Sequence, residues 1–328
     1  MLNLTIFLEN YWESQSDELE YVNYEAHFSE KAPCNIYIIG SRPRVVIDEK
    51  YLKQSTDEIE LLFKVQEGFN FKEIYGKVKL HRPIKGEVKI ESEFPHSTFS
   101  IKDDNGFFVD PSYPDQKFKA FYALRVSNAN CDRSLFSDFK ALYIGKSLKM
   151  DKTVSAAVRL KSHKKLQMVA TKCTTKYVDK EIYFILCSFV GKVDLRAMDT
   201  EIKALGTTEK LIEKIRTDNK ALNPDIKMIT QVAEAALIDY FNTKEFNSDF
   251  IGSFGRPTHL YFKPVIASKI DTISVEIDLN NLGRIYSDTI APHKHHGIEY
   301  KPKEKFARRV FNHNIDEDKA NHSQYQKC

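Results

Sequence analysis

Apolar and polar residues alternate through the first third of the chain. LNLTIFL, YVNYEAHF, CNIYIIG, RVVID, IELLFKV, EIYGKVKLH, GEVKIES and STFSI follow the period of two that buries one face of a strand. Turn formers such as Gly40-Ser41-Arg42-Pro43 and Pro83-Ile84-Lys85-Gly86 separate them. Strands in succession with no helix between them predict a β-rich domain, sandwich or barrel-like, over residues 1–112. The polar stretch DPSYPDQK at 110–117, with two prolines, reads as a linker.

The pattern then changes. KFKAFYALRVS and FKALYIG read as two strands joined by the polar NANCDRSLFSD. TVSAAVRLKSHKKLQ reads as a helix with Thr153 as its N-cap. EIYFILCSFV is a third, wholly apolar strand, and helical stretches follow at about 197–216 and 226–241. Hairpin, helix, strand and helix make an α+β domain over 117–255, with a small three-stranded sheet flanked by helices. Residues 256–328 read as an extension with two strand-like segments, HLYFKPVI and TISVEIDL, and a basic tail whose polar end is expected to be disordered.

Composition narrows the class. The chain has 328 residues, 42% hydrophobic and 29% charged, which suits a soluble globular protein of about two domains. It has no run of about eighteen apolar residues, and its N-terminus lacks the basic start and small-residue cleavage site of a signal peptide. The five cysteines, Cys34, Cys131, Cys173, Cys187 and Cys328, show no CxxC spacing. A scattered, odd set predicts a reducing, cytoplasmic setting and no zinc ribbon.

Charge adds more. The net charge is +3, but residues 1–112 carry 13 Lys+Arg against 20 Asp+Glu and residues 140–180 carry 11 against 2. So local an excess reads as an electrostatic footprint for a polyanion. The acidic first block suits a protein or ligand partner, or homo-oligomer assembly. A phosphate loop at Gly145-Lys146-Ser147 is excluded, because Lys140 stands where that motif needs a second glycine. The HKHH run at 293–296 reads as tail sequence without a native metal.

The candidate chemistry lies between 117 and 249. Tyr122 and Tyr143 fall on the two predicted hairpin strands, where their phenols can share a face. Arg159 and His163, four apart, share a helical face. Glu234 has Leu237, Ile238 and Phe241 at helical neighbour positions. A carboxylate beside such a stripe needs a charge partner or a metal. Asn247 follows thirteen residues later.

Taken together these residues resemble the GIY-YIG nuclease family. There a first strand carries Gly-Ile-Tyr, a second Tyr-Ile-Gly, a helix Arg-x-x-x-His, and a later helix a metal-binding Glu followed by an Asn. Tyr143-Ile144-Gly145, Arg159/His163, Glu234 and Asn247 stand in that order, and the first motif is degenerate at Ala120-Phe121-Tyr122. The resemblance implies a metal-dependent DNA endonuclease, in restriction or antiviral defence. Its alternatives are a structure-selective repair or recombination nuclease, or a non-catalytic nucleic-acid-binding module on the same core. It implies Mg²⁺ (or Mn²⁺) on Glu234, a tyrosine phenolate (Tyr122 or Tyr143) as base, Arg159 on the scissile phosphate and His163 as a proton shuttle. Lys146, Lys149, Lys152, Lys161, Lys164 and Lys165 are the candidates for contact with the DNA backbone.

Overall fold

A computed structural model describes residues 2–20, 27–79, 86–103, 117–147, 164–195, 224–250, 254, 270–279, 282–301 and 307–311. The protein is mixed α+β and strand-rich. Its strands are β1 (Leu2–Ser14), β2 (Ile36–Pro43), β3 (Val45–Gln54), β4 (Glu58–Glu67), β5 (Asn70–Lys79), β6 (Val88–Ser92), β7 (Thr98–Asp103), β8 (Phe118–Lys119), β9 (Phe139–Lys146), β10 (Lys180–Leu195), β11 (Thr272–Asp278), β12 (Ile285–Tyr286), β13 (His295–Lys301) and β14 (Ala307–Phe311). The helices are α1 (Ala120–Val126), α2 (Ser134–Ser137), α3 (Lys164–Lys176) and α4 (Ile226–Phe241).

Eight strands form one sheet in the order β12-β9-β2-β10-β1-β11-β13-β14. β1, β2, β9 and β10 thus interleave in one sheet, although they come from both sides of the expected boundary at 112–117. β3-β4-β5 and β6-β7-β8 form two smaller sheets, inserted in sequence between the neighbouring strands β2 and β9. The expected C-terminal extension also joins the main sheet. β11 runs parallel to β1 from Asn3↔Thr272 to Phe7↔Glu276, and β13 pairs antiparallel with β11. A bridge from Ile285 to His293 links β12 to the approach to β13, so the sheet curls back on itself.

The curl encloses α4. Asp225 caps this helix by accepting a hydrogen bond from the Met228 amide at 2.6 Å. Asn242 ends it in the left-handed conformation, at φ 52°. Between these caps the helix is apolar on almost every side, as befits a helix buried all round. Val232, Ala233, Ala236 and Leu237 are fully buried and meet Ile6, Ile38, Ile185 and Val275 of the sheet in one core. α3 covers the opposite sheet face, where Val169 and Cys173 pack with Tyr37, Tyr143, Phe184 and Leu186.

The segment predicted as the first tyrosine strand is a two-residue strand followed by α1. Its buried residues, Ala120, Phe121, Ala123 and Leu124, follow the helical i, i+1, i+3, i+4 spacing. The aromatic content of KFKAFYALRVS concealed that period. The segment at 21–26, residues 110–116 of the linker expected at 110–117, the helix expected at 197–216 and HLYFKPVI at 259–266 lie outside the described residues. The HKHH run is not tail: His295 and His296 begin β13, and His296 is fully buried. No helix among the described residues is long and apolar enough to cross a membrane. Cys34, Cys131, Cys173 and Cys187 are all thiols.

Candidate functional site

Tyr143-Ile144-Gly145 lies on β9, as its apolar context predicts. Its antiparallel neighbour is β2, in the register Ile36↔Lys146, Tyr37↔Gly145, Ile38↔Ile144 and Ile39↔Tyr143. On its other side β2 pairs with β10, with Leu186 opposite Tyr37. The three neighbours are therefore β9, β2 and β10, and the tyrosine beside Tyr143 is Tyr37. The two rings lie 6.0 Å apart between centroids. Gly145 makes that packing possible. A Cβ there would stand 2.4 Å from the Tyr37 ring, so only glycine lets the ring lie across the strand. Gly40 does the same for Phe139, whose ring would be 2.3 Å from an added Cβ. Gly40 also sits at the β2–β9 irregularity.

Tyr122 lies elsewhere. On α1 it points toward β1, its hydroxyl 3.5 Å from Glu18 Oε2, with the Arg125 guanidinium over its ring. Burial, then Glu13 and Glu18, push its phenol well above its ordinary value, the opposite of what a phenolate base needs. It borders a buried ionic cluster. The Glu13 carboxylate accepts from Arg125 Nη1 at 2.7 Å, and Arg42 Nη2 stands 2.6 Å from Glu13 Oε1. The Arg42–Glu13 contact is Coulombic rather than a directed hydrogen bond, because both atoms lack a partner at a suitable angle. Arg42 is fully buried, with its charge near the rings of Phe121, Phe139 and Tyr183 at 4.9, 5.5 and 5.7 Å. Burial pushes the Glu13 carboxyl up, and Arg42 and Arg125 pull it back.

β9 collects the remaining described candidates. Ile144 and Lys146 share the face toward α4, and the Lys146 ammonium forms an ion pair with the Glu234 carboxylate of α4. Their side chains are 33% and 16% exposed, so the carboxylate is the more enclosed partner. Asn247 sits at the edge of β9 beyond the reach of β12, which pairs only with Phe139 and Lys140. Its side-chain amide accepts from the Ile144 N–H at 3.1 Å and donates to the Ile144 C=O at 2.7 Å. It thus supplies the two bonds that a further strand would have made. Thr243 donates to the same Asn247 oxygen at 2.9 Å. After α4 the chain wraps this edge, so Phe246 ends in the core beneath α3. Ser147 N–H donates to the Asn35 carbonyl at 2.8 Å, and the Asn35 amide donates to Thr230 of α4 at 2.7 Å.

The structure thus pairs Tyr143 with Tyr37 on the α3 face, and Lys146 with Glu234 on the α4 face, with Asn247 at the strand edge between them. It does not bring Tyr122 to Tyr143 as a hairpin partner. Arg159, His163, Lys149, Lys152 and Lys161 lie outside the described residues, as do the side chains of Lys164 and Lys165, whose backbone opens α3. Among the described residues no group of three or more His, Cys, Asp or Glu side chains is placed to hold a metal. Glu234 would offer a single carboxylate. That suits Mg²⁺, which is held by one or two carboxylates with water and phosphate completing the shell.

Sequence reading missed Tyr37, although the literal Ile36-Tyr37 dipeptide in an apolar strand was available. Residues 44–138 separate the two strands, and adjacency in sequence favoured 117–127 instead. No family model, no curated protein and no solved structure matches the chain.

Proposed function

We propose that this protein is a metal-dependent endonuclease that hydrolyses phosphodiester bonds in DNA, built on a GIY-YIG-like core of β2, β9 and β10. The observation that carries the reading is the antiparallel pairing of the Ile36-Tyr37 strand with the Tyr143-Ile144-Gly145 strand, with Glu234 and Asn247 both engaging β9. In this reading Tyr37 takes the place first expected of Tyr122, and the sheets between β2 and β9 are an insertion in the tyrosine hairpin. Tyr143 is 9% exposed and Tyr37 is fully buried, and both belong to the core under α3. Tyr143 and Tyr37 pack on the α3 face while Glu234 lies on the α4 face, so the tyrosine pair braces the strand that carries Lys146, and a water held at Glu234 gives its proton to a group on the Glu234 side. Glu234 would hold the divalent ion, which supplies water activation and charge stabilisation at the phosphate when bound. Arg159 clamps the scissile phosphate through its planar fork, His163 shuttles the leaving-group proton, and the lysines from Lys146 to Lys165 meet the DNA backbone.

Duplex, single-stranded and branched DNA incubated with the full chain and Mg²⁺ or Mn²⁺ test this. Discrete duplex ends support restriction or defence; cuts at junctions support repair. Glu234→Gln should abolish cleavage with the fold and DNA affinity retained, a barrier increase of several kcal/mol. Tyr143→Phe and Tyr122→Phe should both cut normally. Normal cleavage by Glu234→Gln, or loss confined to Tyr122→Phe, would sink the assignment. The Lys146–Glu234 pair favours a second reading, a DNA-binding scaffold without catalysis. DNA binding with no cleavage in either metal selects it.

A further inference from the structure

We infer that the free edge of β5 is a docking surface for a second copy of this chain, joined by antiparallel pairing of Phe71–Tyr75 about a two-fold axis at Glu73. The inference concerns assembly and does not rest on the endonuclease reading.

The edge follows from the hairpin. β4 and β5 pair without a bulge from Glu67↔Asn70 to Glu58↔Lys79, and only Gly68 and Phe69 join them. Gly68 stands at φ 61°, as the first position of a two-residue turn requires. The residues flanking such a turn exchange both main-chain bonds, and the pattern then alternates along the strands. Asn70, Lys72, Ile74, Gly76 and Val78 therefore bond to β4. Phe71, Glu73, Tyr75 and Lys77 turn their N–H and C=O outward. Asn128 fixes this phase, because its N–H reaches the Lys77 carbonyl at 2.8 Å. Beyond that cap, Ala129 and Cys131 pack against the core on the inner side of the sheet. β3, at the other side of the small sheet, is covered by the β6–β7 turn, where the Ile47 N–H meets the His96 carbonyl at 2.9 Å. Among the described residues nothing pairs with the outward main-chain groups of Phe71, Glu73 and Tyr75.

A bare edge takes a strand, and the side chains select which one. Phe71, Glu73 and Tyr75 share the outer face. Phe71 and Tyr75 are 49% and 50% exposed, and Phe69 at the turn is 91% exposed. Aromatic, carboxylate, aromatic reads the same in both directions, so the stretch complements itself. A copy centred on Glu73 sets Phe71 against the partner's Tyr75 on each side of the axis, and every outward group of the three residues finds a main-chain partner. Phe69 then comes abreast of the partner's Lys77. On the inner face the Lys72 stem lies over the partner's Ile74. The neighbouring registers are worse. One residue toward Lys77, Phe71 of the partner subunit would run into the Asn128 cap; one residue the other way, Lys72 would face its own copy. The cost of the chosen register is Glu73 facing its own copy. Paired strands this short bury less than the roughly 1,000 Å² of a stable interface, so the dimer is weak and concentration-dependent.

Sedimentation velocity on the full chain over a concentration series tests this. Wild type should pass from monomer to dimer as concentration rises. Glu73→Gln removes the opposed charges and should tighten the dimer about two- to fivefold. Glu73→Pro removes an N–H that the monomer leaves unpaired, which an edge strand tolerates, and should abolish the dimer. Should the proline variant not fold, Phe71→Glu decides, because it adds a carboxylate on each side of the axis at an exposed position and should also abolish the dimer. In residue-resolved hydrogen exchange of wild type, the Phe71, Glu73 and Tyr75 amides should gain protection with concentration. The Lys72 and Ile74 amides, bonded to β4, should be protected throughout. A wild type that stays monomeric up to its solubility limit overturns the inference. So does a dimer that leaves those three amides unprotected, or that persists in the folded variants. A monomer whose three amides are already protected shows the edge covered by the chain itself, and overturns it too.

Discussion

Lowering the pH should loosen the seam where the curled sheet meets itself, through His296. Its imidazole is fully buried on β13. Nδ1 lies 2.9 Å from the Tyr240 hydroxyl of α4, and Nε2 lies 3.0 Å from the carbonyls of both Ile285 and His293. Two carbonyls can only accept, so Nε2 carries the proton and Nδ1 accepts from Tyr240. A second proton on Nδ1 would break the Tyr240 bond and put a charge in the core. Burial pushes the His296 pKa down to about 4 from 6.5; the two backbone bonds oppose this, and His293 and His295 nearby add to it. The unfolded chain therefore takes up a proton that the folded chain refuses. The contribution is fully present above the unfolded value of 6.5 and is lost as pH falls from 6.5 toward 4. The loss reaches about 3 kcal/mol, at about 1.4 kcal/mol per unit of pH. Carboxylates also titrate in this range, so the comparison must be with His296→Asn, which cannot titrate. Urea unfolding followed by Trp12 fluorescence at pH 7.5, 6.5, 5.5 and 4.5 gives the difference between the two proteins. The wild-type advantage should shrink by about 3 kcal/mol over that span. A constant difference at all four pH values would refute the argument.

Asn247→Leu should leave the Ile144 N–H and C=O unpaired at a buried edge, costing about 2–4 kcal/mol. In hydrogen exchange the Ile144 amide should lose more protection than amides of β1, and equal protection would show that the clamp is dispensable. Glu13→Leu should strand Arg42 and cost about 3–5 kcal/mol, whereas Glu13→Leu with Arg42→Met should cost much less; thermal melts giving additive losses would show that the pair is not coupled. Lys164→Glu with Lys165→Glu should weaken DNA binding for all sequences and flatten its salt dependence, and an unchanged salt slope would place the DNA elsewhere.

Local pattern alone determined much of this protein. The period of two set β2 to β7, and α4 carries its own boundaries: Asp225 as cap, sixteen residues of helix, and apolar residues on nearly every side, which already mark a buried helix. Tyr143-Ile144-Gly145, Glu234 and Asn247 were likewise legible as candidates. What the sequence could not supply was partnership between distant segments. Register between strands depends on which apolar faces can be buried together, and that is decided by the whole core rather than by neighbours in the chain. So β2 pairs with β9 across the 44–138 insertion, β11 lies beside β1 from the other end of the chain, and Tyr37 rather than Tyr122 meets Tyr143. The same holds for Glu234. Its sequence context shows a carboxylate beside an apolar stripe, and only the packing of α4 against β9 selects Lys146 as its counter-charge, because the demand of a buried anion is met by whichever cation the fold brings within reach.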